Sequence, residues 1–133
     1  AHVPRYRIAR GDIVDANRWF AGGMGSLASG ERAYANWDED AITMAVAAGR
    51  IALANGQAPS DVWLASTTAP FADRQNAGLV AAALGCDEQV ATLDLGGSTR
   101  CGTSALITAL RGAAHADRSV LVAASEHRLT RAG

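Results

Sequence analysis

The pattern of apolar and polar positions predicts alternating helices and strands from residue 38 onward. Residues 38–56 form the clearest helix, because apolar residues recur at helical spacing, acidic residues occupy the first turn and Asn55-Gly56 can end it. The apolar positions of that helix are Ile42, Val46, Ile51 and Leu53. The later predicted elements are a strand at 61–67, a helix at 73–85, a strand at 89–96, a helix at 99–116 and a strand at 119–125.

This αβαβαβ order predicts an α/β fold with a mostly parallel sheet, helices on its faces and right-handed crossovers. The continuous apolar run at 119–125 predicts a strand buried on both faces. A sheet of three strands leaves edges and apolar surface unprotected. We therefore expect either further chain before Ala1 and after Gly133 or a partner subunit to cover them.

The first 35 residues carry weaker signals. A mixed stretch at 12–20 predicts a short helix, and the Gly- and Ser-rich residues 21–30 predict a loop, so residues up to Ala35 are expected to be mostly connection. The "GGMG" of this loop lacks a preceding strand and a following GK[ST], so it is not interpreted as a phosphate-binding loop. With 133 residues, the chain is expected to fold as one domain around one sheet.

Composition and charge narrow the function. The chain has 12 basic and 13 acidic residues, for a net charge of −1, and its basic residues are all Arg. Without a basic cluster, nucleic acid is not an expected partner. The sequence has neither an apolar run near the roughly 18 residues that span a bilayer nor the apolar stretch of a secretory signal. We therefore expect a cytoplasmic protein with no membrane partner.

The two cysteines predict neither a disulfide framework nor a metal site. Cys86 and Cys101 have no CxxC partner and no spaced His cluster. Cys86 follows a helix-ending glycine and is expected to be an ordinary loop or buried residue.

Cys101 lies in "DLGGSTRCGTSALITAL", where the predicted strand at 89–96 gives way to a helix. Backbone N–H groups at a helix N-terminus favour negative charge, so the position suits a thiolate nucleophile, and the same groups could hold the oxyanion formed when a thioester carbonyl is attacked. The alternative is a small buried apolar side chain, which is common for free cysteine. Small neighbours that allow close approach of a substrate are Gly96, Gly97, Gly102 and Ser104.

Several blocks together resemble the N-terminal half of the thiolase superfamily, in particular hydroxymethylglutaryl-CoA synthases and ketoacyl-ACP synthase III. The blocks are "PRYRIARGDI", "GERAYANWDEDAITMAVAAGRIAL", "DVWLASTTAPFADRQNAGLVAAALG", "LDLGGSTRCGTSALITAL" and "SVLVAASEHR". The resemblance implies the five-layered αβαβα thiolase-like fold, with residues 1–133 as its N-terminal half. It also implies that Cys101 takes an acyl group from CoA or an acyl carrier protein as a thioester before a carbon–carbon bond forms. The oxyanion is then expected to be held by the backbone N–H of Cys101 and that of a glycine from the missing half.

The same resemblance implies cofactors and partners. A coenzyme A thioester would be a substrate, with no permanently bound cofactor. The family's catalytic His, and the Asn or second His that assists it, would lie in a C-terminal half that this sequence lacks. A homodimer is expected, and hydroxymethylglutaryl-type relatives also associate with a separate thiolase and a small zinc-ribbon/OB-fold protein.

One position departs from the synthase pattern. The glutamate that serves as general acid/base in hydroxymethylglutaryl-CoA synthases would fall in "LASTTAP", where Thr67 stands. A threonine does not exchange protons near neutral pH. Ketoacyl-ACP synthase III enzymes carry a similar Thr-rich segment, which favours a ketosynthase-like or thiolase-like acyltransferase with Thr67, Thr68 and Gly102 in the substrate pocket.

Two further groups of residues are weaker candidates for the site. Glu31-Arg32 matches a block of the family, which implies an Arg32 contact with a CoA phosphate, and the alternative is a salt-bridged loop. The histidines are expected to be a surface residue, a helix C-terminal residue out of reach of Cys101, and a loop residue after the last strand: His2, His115 and His127. The aromatic residues Trp19, Phe20 and Trp37 could line a pantetheine tunnel or anchor a core or interface.

Two other function classes remain open. A non-catalytic thiolase-like scaffold subunit would explain Thr67 at the acidic position. A nucleotide-binding α/β domain would use "DLGGSTRCG" as a phosphate loop.

Overall fold

The computed structural model describes residues 1–20, 22–114 and 118–128 and divides the chain into two units, one built from residues 3–38 and one from residues 1–2 and 39–127. Each unit has its own sheet. The prediction of a single sheet is therefore wrong. Short strands that expose most of their side chains do not produce the apolar alternation by which strands are detected.

The smaller unit is built on an antiparallel strand pair. Strands β1 (Tyr6–Ala9) and β2 (Glu31–Tyr34) pair with Tyr6 opposite Tyr34, and the two rings lie 5.6 Å apart. Between them lie helix α1 (Arg10–Ala16) and a 3₁₀ helix (Met24–Leu27). Both strands fall where connection was predicted, α1 begins earlier than the predicted helix at 12–20, and part of the predicted loop at 21–30 is helical.

The larger unit confirms the predicted αβαβαβ order, with each element shorter than its apolar segment. Its elements are α2 (Ala41–Ala52), β3 (Asp61–Ala65), α3 (Asn76–Leu84), β4 (Ala91–Leu95), α4 (Cys101–Ala113) and β5 (Val120–Ala124).

Helix α2 begins with a capping box. The Asp40 carboxylate accepts the Thr43 N–H at 2.8 Å, and the Thr43 hydroxyl accepts the Asp40 N–H at 2.7 Å. The acidic residues predicted for the first turn thus precede the helix. Its buried side consists of Ala41, Ile42, Ala45, Val46 and Gly49, whereas the predicted apolar residue Ile51 is 58% exposed.

The larger sheet has the order β4-β3-β5 with all strands parallel. Strand β3 is central: Val62 pairs with Thr92 on one side and with Leu121 on the other. The prediction that the last strand is buried on both faces is confirmed only in part. Leu121 and Val122 of β5 pack in clusters on opposite faces of the sheet, but Ala123 is the one residue of this strand that is fully buried. Strand β3 is more deeply buried.

The two faces of this sheet pack against different helices. Alternate residues of a strand point to opposite faces. Val62 and Leu64 of β3 face α2 and α3, where the main core consists of Ile42, Ala45, Val46, Ala77, Val80, Ala81 and Ala123. Trp63 and Ala65 face α4, where the buried residues are Cys101 and Ala105.

The outer side of α4 remains apolar and exposed. Leu106, Ile107 and Leu110 are exposed on this helix, and Leu93 is exposed on edge strand β4. These residues form the exposed apolar surface that the sequence predicts for this chain. Across the described residues, no helix is both long and apolar enough to cross a bilayer.

Candidate functional site

The carboxyl ends of the three parallel strands meet at one edge of the larger sheet, and small polar residues follow each of them. Ser66-Thr67-Thr68 follow β3, Gly96-Gly97 follow β4 and Ser125-Glu126 follow β5. The strand pairing extends slightly beyond the strand ends, because the Ser125 N–H donates to the Ala65 carbonyl at 3.1 Å. In parallel α/β sheets this edge is where ligands bind.

Cys101 is the first residue of α4 and lies at this edge, as the sequence predicts. Its side chain packs with Ala65 and Ala105 and is only 6% exposed. The Cys101 N–H donates to the Ser98 carbonyl at 3.0 Å. The prediction that this N–H is available for an oxyanion is therefore wrong for this structure, because the turn before α4 already uses it.

The backbone N–H groups that follow Cys101 in α4 differ in whether they have a backbone acceptor. Ser104 donates its N–H to the Arg100 carbonyl at 3.0 Å, which is the first regular bond of the helix. The N–H groups of Gly102 and Thr103 have no backbone acceptor within the described parts of the chain. Such groups at a helix N-terminus are those that bind anions.

Close backbone packing explains two of the glycines at this edge. A Cβ on Gly96 would lie 3.1 Å from the Ser66 carbonyl oxygen, and one on Gly102 would lie 3.3 Å from the Ala124 Cβ. Gly97 has a positive φ of 77°, which L side chains rarely adopt. A side chain at Gly96 would therefore crowd the turn after β3, and one at Gly102 would crowd the end of β5.

Thr67 and Thr68 contact a carboxylate that the sequence analysis missed. Glu126 Oε1 accepts the Thr67 N–H at 2.8 Å, and Oε2 accepts the Thr67 and Thr68 hydroxyls at 2.8 and 3.2 Å. The Thr68 hydroxyl in turn accepts the His127 N–H at 2.8 Å. The available signal was a polar residue two positions after a strand at the carboxyl edge, where functional side chains are common.

The histidines have structural contacts or lie outside the described residues. His127 follows β5 as predicted, and its backbone N–H contacts Thr68. His2 was predicted to be a surface residue, but it is half-buried and its Nε2 lies 3.1 Å from Glu39 Oε1. The prediction for His115 lies outside the described residues.

Arg32 lines a cavity of about 310 Å³ in the smaller unit. Arg10 also lines this cavity, and the other lining residues are Ile13, Val14, Met24 and Leu27. Arg32 lies in strand β2, and within the described chain neither it nor Glu31 forms a salt bridge. The alternative of a salt-bridged loop is therefore wrong, and the cavity combines an apolar wall with positive charge.

The aromatic residues and Cys86 have less support from the structure as functional residues. Trp19, Phe20 and Trp37 are exposed, Trp37 by 92%, so none of them is a core anchor of this chain. Cys86 is half-buried, and burial raises the pKa of its thiol. Within the described residues, no group of three His, Cys, Asp or Glu side chains is arranged to hold a metal ion.

Sequence comparison finds hydroxymethylglutaryl-CoA synthases among the relatives of the chain. No family model matches the chain. It is 32% identical over 130 residues to a hydroxymethylglutaryl-CoA synthase of Thermococcus onnurineus, an alignment that covers 93% of this chain and 36% of that protein. The hydroxymethylglutaryl-CoA synthase of Methanocella arvoryzae is 33% identical over 118 residues, covering 83% of this chain and 33% of the relative. The chain therefore spans about a third of the length of the curated relatives it matches.

Solved structures share the fold at lower sequence identity. A cysteine-to-serine variant of Xanthomonas campestris OleA, solved with bound lauric acid and lauroyl-CoA, superposes with a TM-score of 0.76 at 17% identity, covering 90% of this chain and 40% of OleA. MvaS in complex with 3-hydroxy-3-methylglutaryl coenzyme A gives a TM-score of 0.73 at 22% identity, covering 98% of this chain and 34% of MvaS. These likenesses confirm the predicted thiolase-like fold. Together with the sequence relatives, they show that the chain has a thiolase-like fold and is similar to part of the hydroxymethylglutaryl-CoA synthases.

Proposed function

We propose that this chain provides the nucleophile half of an acyl-CoA-dependent condensing acyltransferase, with Cys101 as the residue that carries the acyl group. The observation that supports this most directly is the position of Cys101 at the N-terminus of α4, on the carboxyl edge of a parallel sheet with a thiolase-like fold. The hydroxymethylglutaryl-CoA synthase relatives and the CoA ligands bound to OleA and MvaS point to the same reaction class.

In the first half-reaction, the Cys101 thiolate attacks the carbonyl carbon of an acyl thioester. A carbon–sulfur bond forms, and the carbonyl oxygen becomes an oxyanion. The N–H groups of Gly102 and Thr103 are the donors in this chain that suit that charge, because the N–H of Cys101 already bonds to Ser98. When the intermediate collapses, the bond to CoA breaks and the CoA thiolate leaves and takes up a proton, so that an S-acyl cysteine remains.

In the second half-reaction, the enolate of a second thioester attacks the acyl carbon and displaces the Cys101 thiolate, which closes the cycle with a new carbon–carbon bond. The base that forms the enolate belongs to the remainder of the fold, supplied by the same polypeptide or by a companion. This chain supplies Cys101, which holds the acyl group. It also supplies Thr67, Thr68 and Gly102, which line the substrate pocket. The same proposal includes a homodimer, as is usual in the family, and coenzyme A as a substrate without a resident cofactor.

Arg32 is proposed to bind a phosphate of coenzyme A or of a phosphopantetheine carrier. Arg32 and Arg10 are the two charged residues among those that line an otherwise apolar cavity. Arginine suits this role because its planar fork binds two phosphate oxygens at once. An Arg32→Ala variant should therefore raise the KM for acyl-CoA and leave the KM for a short pantetheine thioester without phosphate unchanged.

The test of the main proposal is the intact mass of the protein, together with any partner chain that completes the fold, after incubation with acetyl-CoA or acetoacetyl-CoA. An adduct of the acyl mass on the Cys101 peptide is expected, and it should be absent in Cys101→Ala. Cys86→Ala is the matched control and should retain the adduct. The absence of an adduct with a panel of acyl-CoAs would contradict the proposal.

A second candidate is a non-catalytic scaffold subunit. Two observations favour it: Thr67 stands where an acidic group is expected, and the Cys101 side chain is almost completely buried. A scaffold would give no adduct and would still assemble with its partner after Cys101→Ala substitution.

A further inference from the structure

The feature that the proposed reaction does not yet use is the carboxylate of Glu126. It joins the segment after β5 to the turn after β3, because it accepts the Thr67 N–H and both threonine hydroxyls. The contact is a bidentate arrangement: Oε1 takes the backbone donor at 2.8 Å and Oε2 takes the hydroxyls. Hydrogen bonds to a carboxylate favour its ionised form and are stronger than neutral ones.

This contact lies just beyond the two strand ends that pack against the start of α4. Ala65 packs with Cys101, and Thr67 comes two residues after it. On β5, Val122 packs on the Cys101 cluster and the Ala124 Cβ approaches Gly102, and Glu126 comes two residues after Ala124. The Ser125–Ala65 hydrogen bond maintains the register between these two strands beyond their ends.

A second layer of hydrogen bonds fixes the turn that Glu126 holds. The Thr68 N–H donates to the Ser66 hydroxyl at 3.0 Å, and the His127 N–H donates to the Thr68 hydroxyl at 2.8 Å. Each donor therefore has a defined partner. A turn tied in this way keeps its side chains in one place relative to the start of α4.

We propose that Glu126 is a positioning residue for the acylation of Cys101, because its carboxylate holds the Thr67–Thr68 turn just beyond the strand ends that pack against Cys101 and Gly102. The inference rests on the proposed acyl transfer to Cys101. Glu126 neither accepts the acyl group nor exchanges a proton in this role. It acts through Thr67 and Thr68, whose placement determines how the acyl group is oriented for attack.

The test compares two reactions of Cys101 in the intact protein with its partner chain. The first is single-turnover acylation by saturating acetyl-CoA, and the second is alkylation by iodoacetamide, a small reagent that needs no oriented binding. Glu126→Ala should slow acylation by about tenfold or more, since small misplacements of reacting groups have effects of this size, and should change alkylation by less than about twofold. Glu88→Gln, an exposed carboxylate change on a distant loop, is the control and should affect neither rate.

Two matched variants of Thr67 test the same contact if the Glu126 variant fails to fold. Thr67→Ser keeps the hydroxyl that donates to Glu126 and should acylate faster than Thr67→Val. Thr67→Val keeps the shape but removes that donor, and it should slow acylation in the same direction as Glu126→Ala.

The outcomes separate the two proposals. Wild-type acylation with an unaffected Glu126→Ala variant would overturn the role of Glu126 and leave the acyl transfer standing. A parallel loss of acylation and alkylation would also overturn it, because Glu126 would then act on the thiol itself. A wild-type protein that no acyl-CoA modifies would overturn the acyl transfer, and the positioning role with it.

Discussion

The Oδ1 atom of Asp94 in β4 accepts the backbone N–H of Ala77 in the first turn of α3 at 2.6 Å. Its Oδ2 atom accepts the Asn76 N–H at 2.7 Å and the Asn76 side-chain amide at 2.9 Å. The residue at the N-cap of this helix, Gln75, makes no side-chain capping bond. Asp94 therefore caps α3 from a neighbouring strand and joins helix to sheet.

Replacing Asp94 with Ala should lower the free energy of unfolding by about 2 kcal/mol, because two helix N–H groups lose a charged acceptor. Urea denaturation followed by circular dichroism measures the change. Glu88→Gln, which removes an exposed carboxylate from the preceding loop, should shift stability by less than about 0.5 kcal/mol. Equal stability of the Asp94 variant and wild type would show that the cap contributes nothing.

Two glycine-to-alanine changes should have opposite signs. Gly85 ends α3 with φ of 71°, so Gly85→Ala should destabilise the protein by about 1 kcal/mol. Gly112 lies within α4, and a Cβ added there would meet no other atom within 4 Å, so Gly112→Ala should stabilise the protein by about 0.5 kcal/mol. Thermal unfolding of both variants measures the two stability changes. Opposite signs would show that the backbone conformation at each glycine determines the effect.

The buried carboxylate of Asp61 at the start of β3 depends on Arg118. The Arg118 Nε–H donates to Asp61 Oδ2 at 3.1 Å and a second guanidinium N–H donates to Oδ1, while the Asp61 side chain is 4% exposed. Arg118→Ala leaves this carboxylate without its cation and should lower the free energy of unfolding by about 1–2 kcal/mol, less than for a fully buried pair because Arg118 is half exposed. Combining it with Asp61→Asn should cost less than the sum of the single changes in a double-mutant cycle.

Alkylation of Cys86 should require a higher pH in the folded protein than in the unfolded protein. Burial raises the pKa of this thiol, so at any given pH the folded protein holds less of the reactive thiolate than a free cysteine with a pKa of about 8.5 would. In Cys101→Ala, alkylation of Cys86 should therefore rise only at higher pH than in the same protein in urea. Coincident native and denatured profiles would contradict the role of burial.

The elements of the larger unit could be predicted because the local spacing of apolar residues indicates which side of each element is buried. The helix at 41–52 and the strands around β3 each carry a pattern with one physical interpretation, and the glycine pair before Cys101 marks the strand-to-helix junction. The strands β1 and β2 could not be found in this way, because most of their side chains are exposed and charged residues interrupt their apolar positions.

The candidate site could be predicted only in part for a related reason. Cys101 is recognisable from its immediate neighbours. Glu126 lies 59 positions from Thr67 in the chain, and only the pairing of β3 with β5 brings them together. The hydrogen bond from the Cys101 N–H to Ser98 is equally invisible, since it depends on how the turn before α4 closes.

The site lies on short segments beyond the strand ends, which makes it more sensitive to changes of length than the core is. Val62 and Leu64 complete the packing under α2 and α3 before β3 ends, whereas Thr67 lies two residues beyond Ala65. A single residue inserted between Ala65 and Thr67 would leave the core residues in place and displace Thr67 from the Glu126 carboxylate. Such an insertion would remove the Glu126 contact from a folded protein while the cysteine stays unchanged.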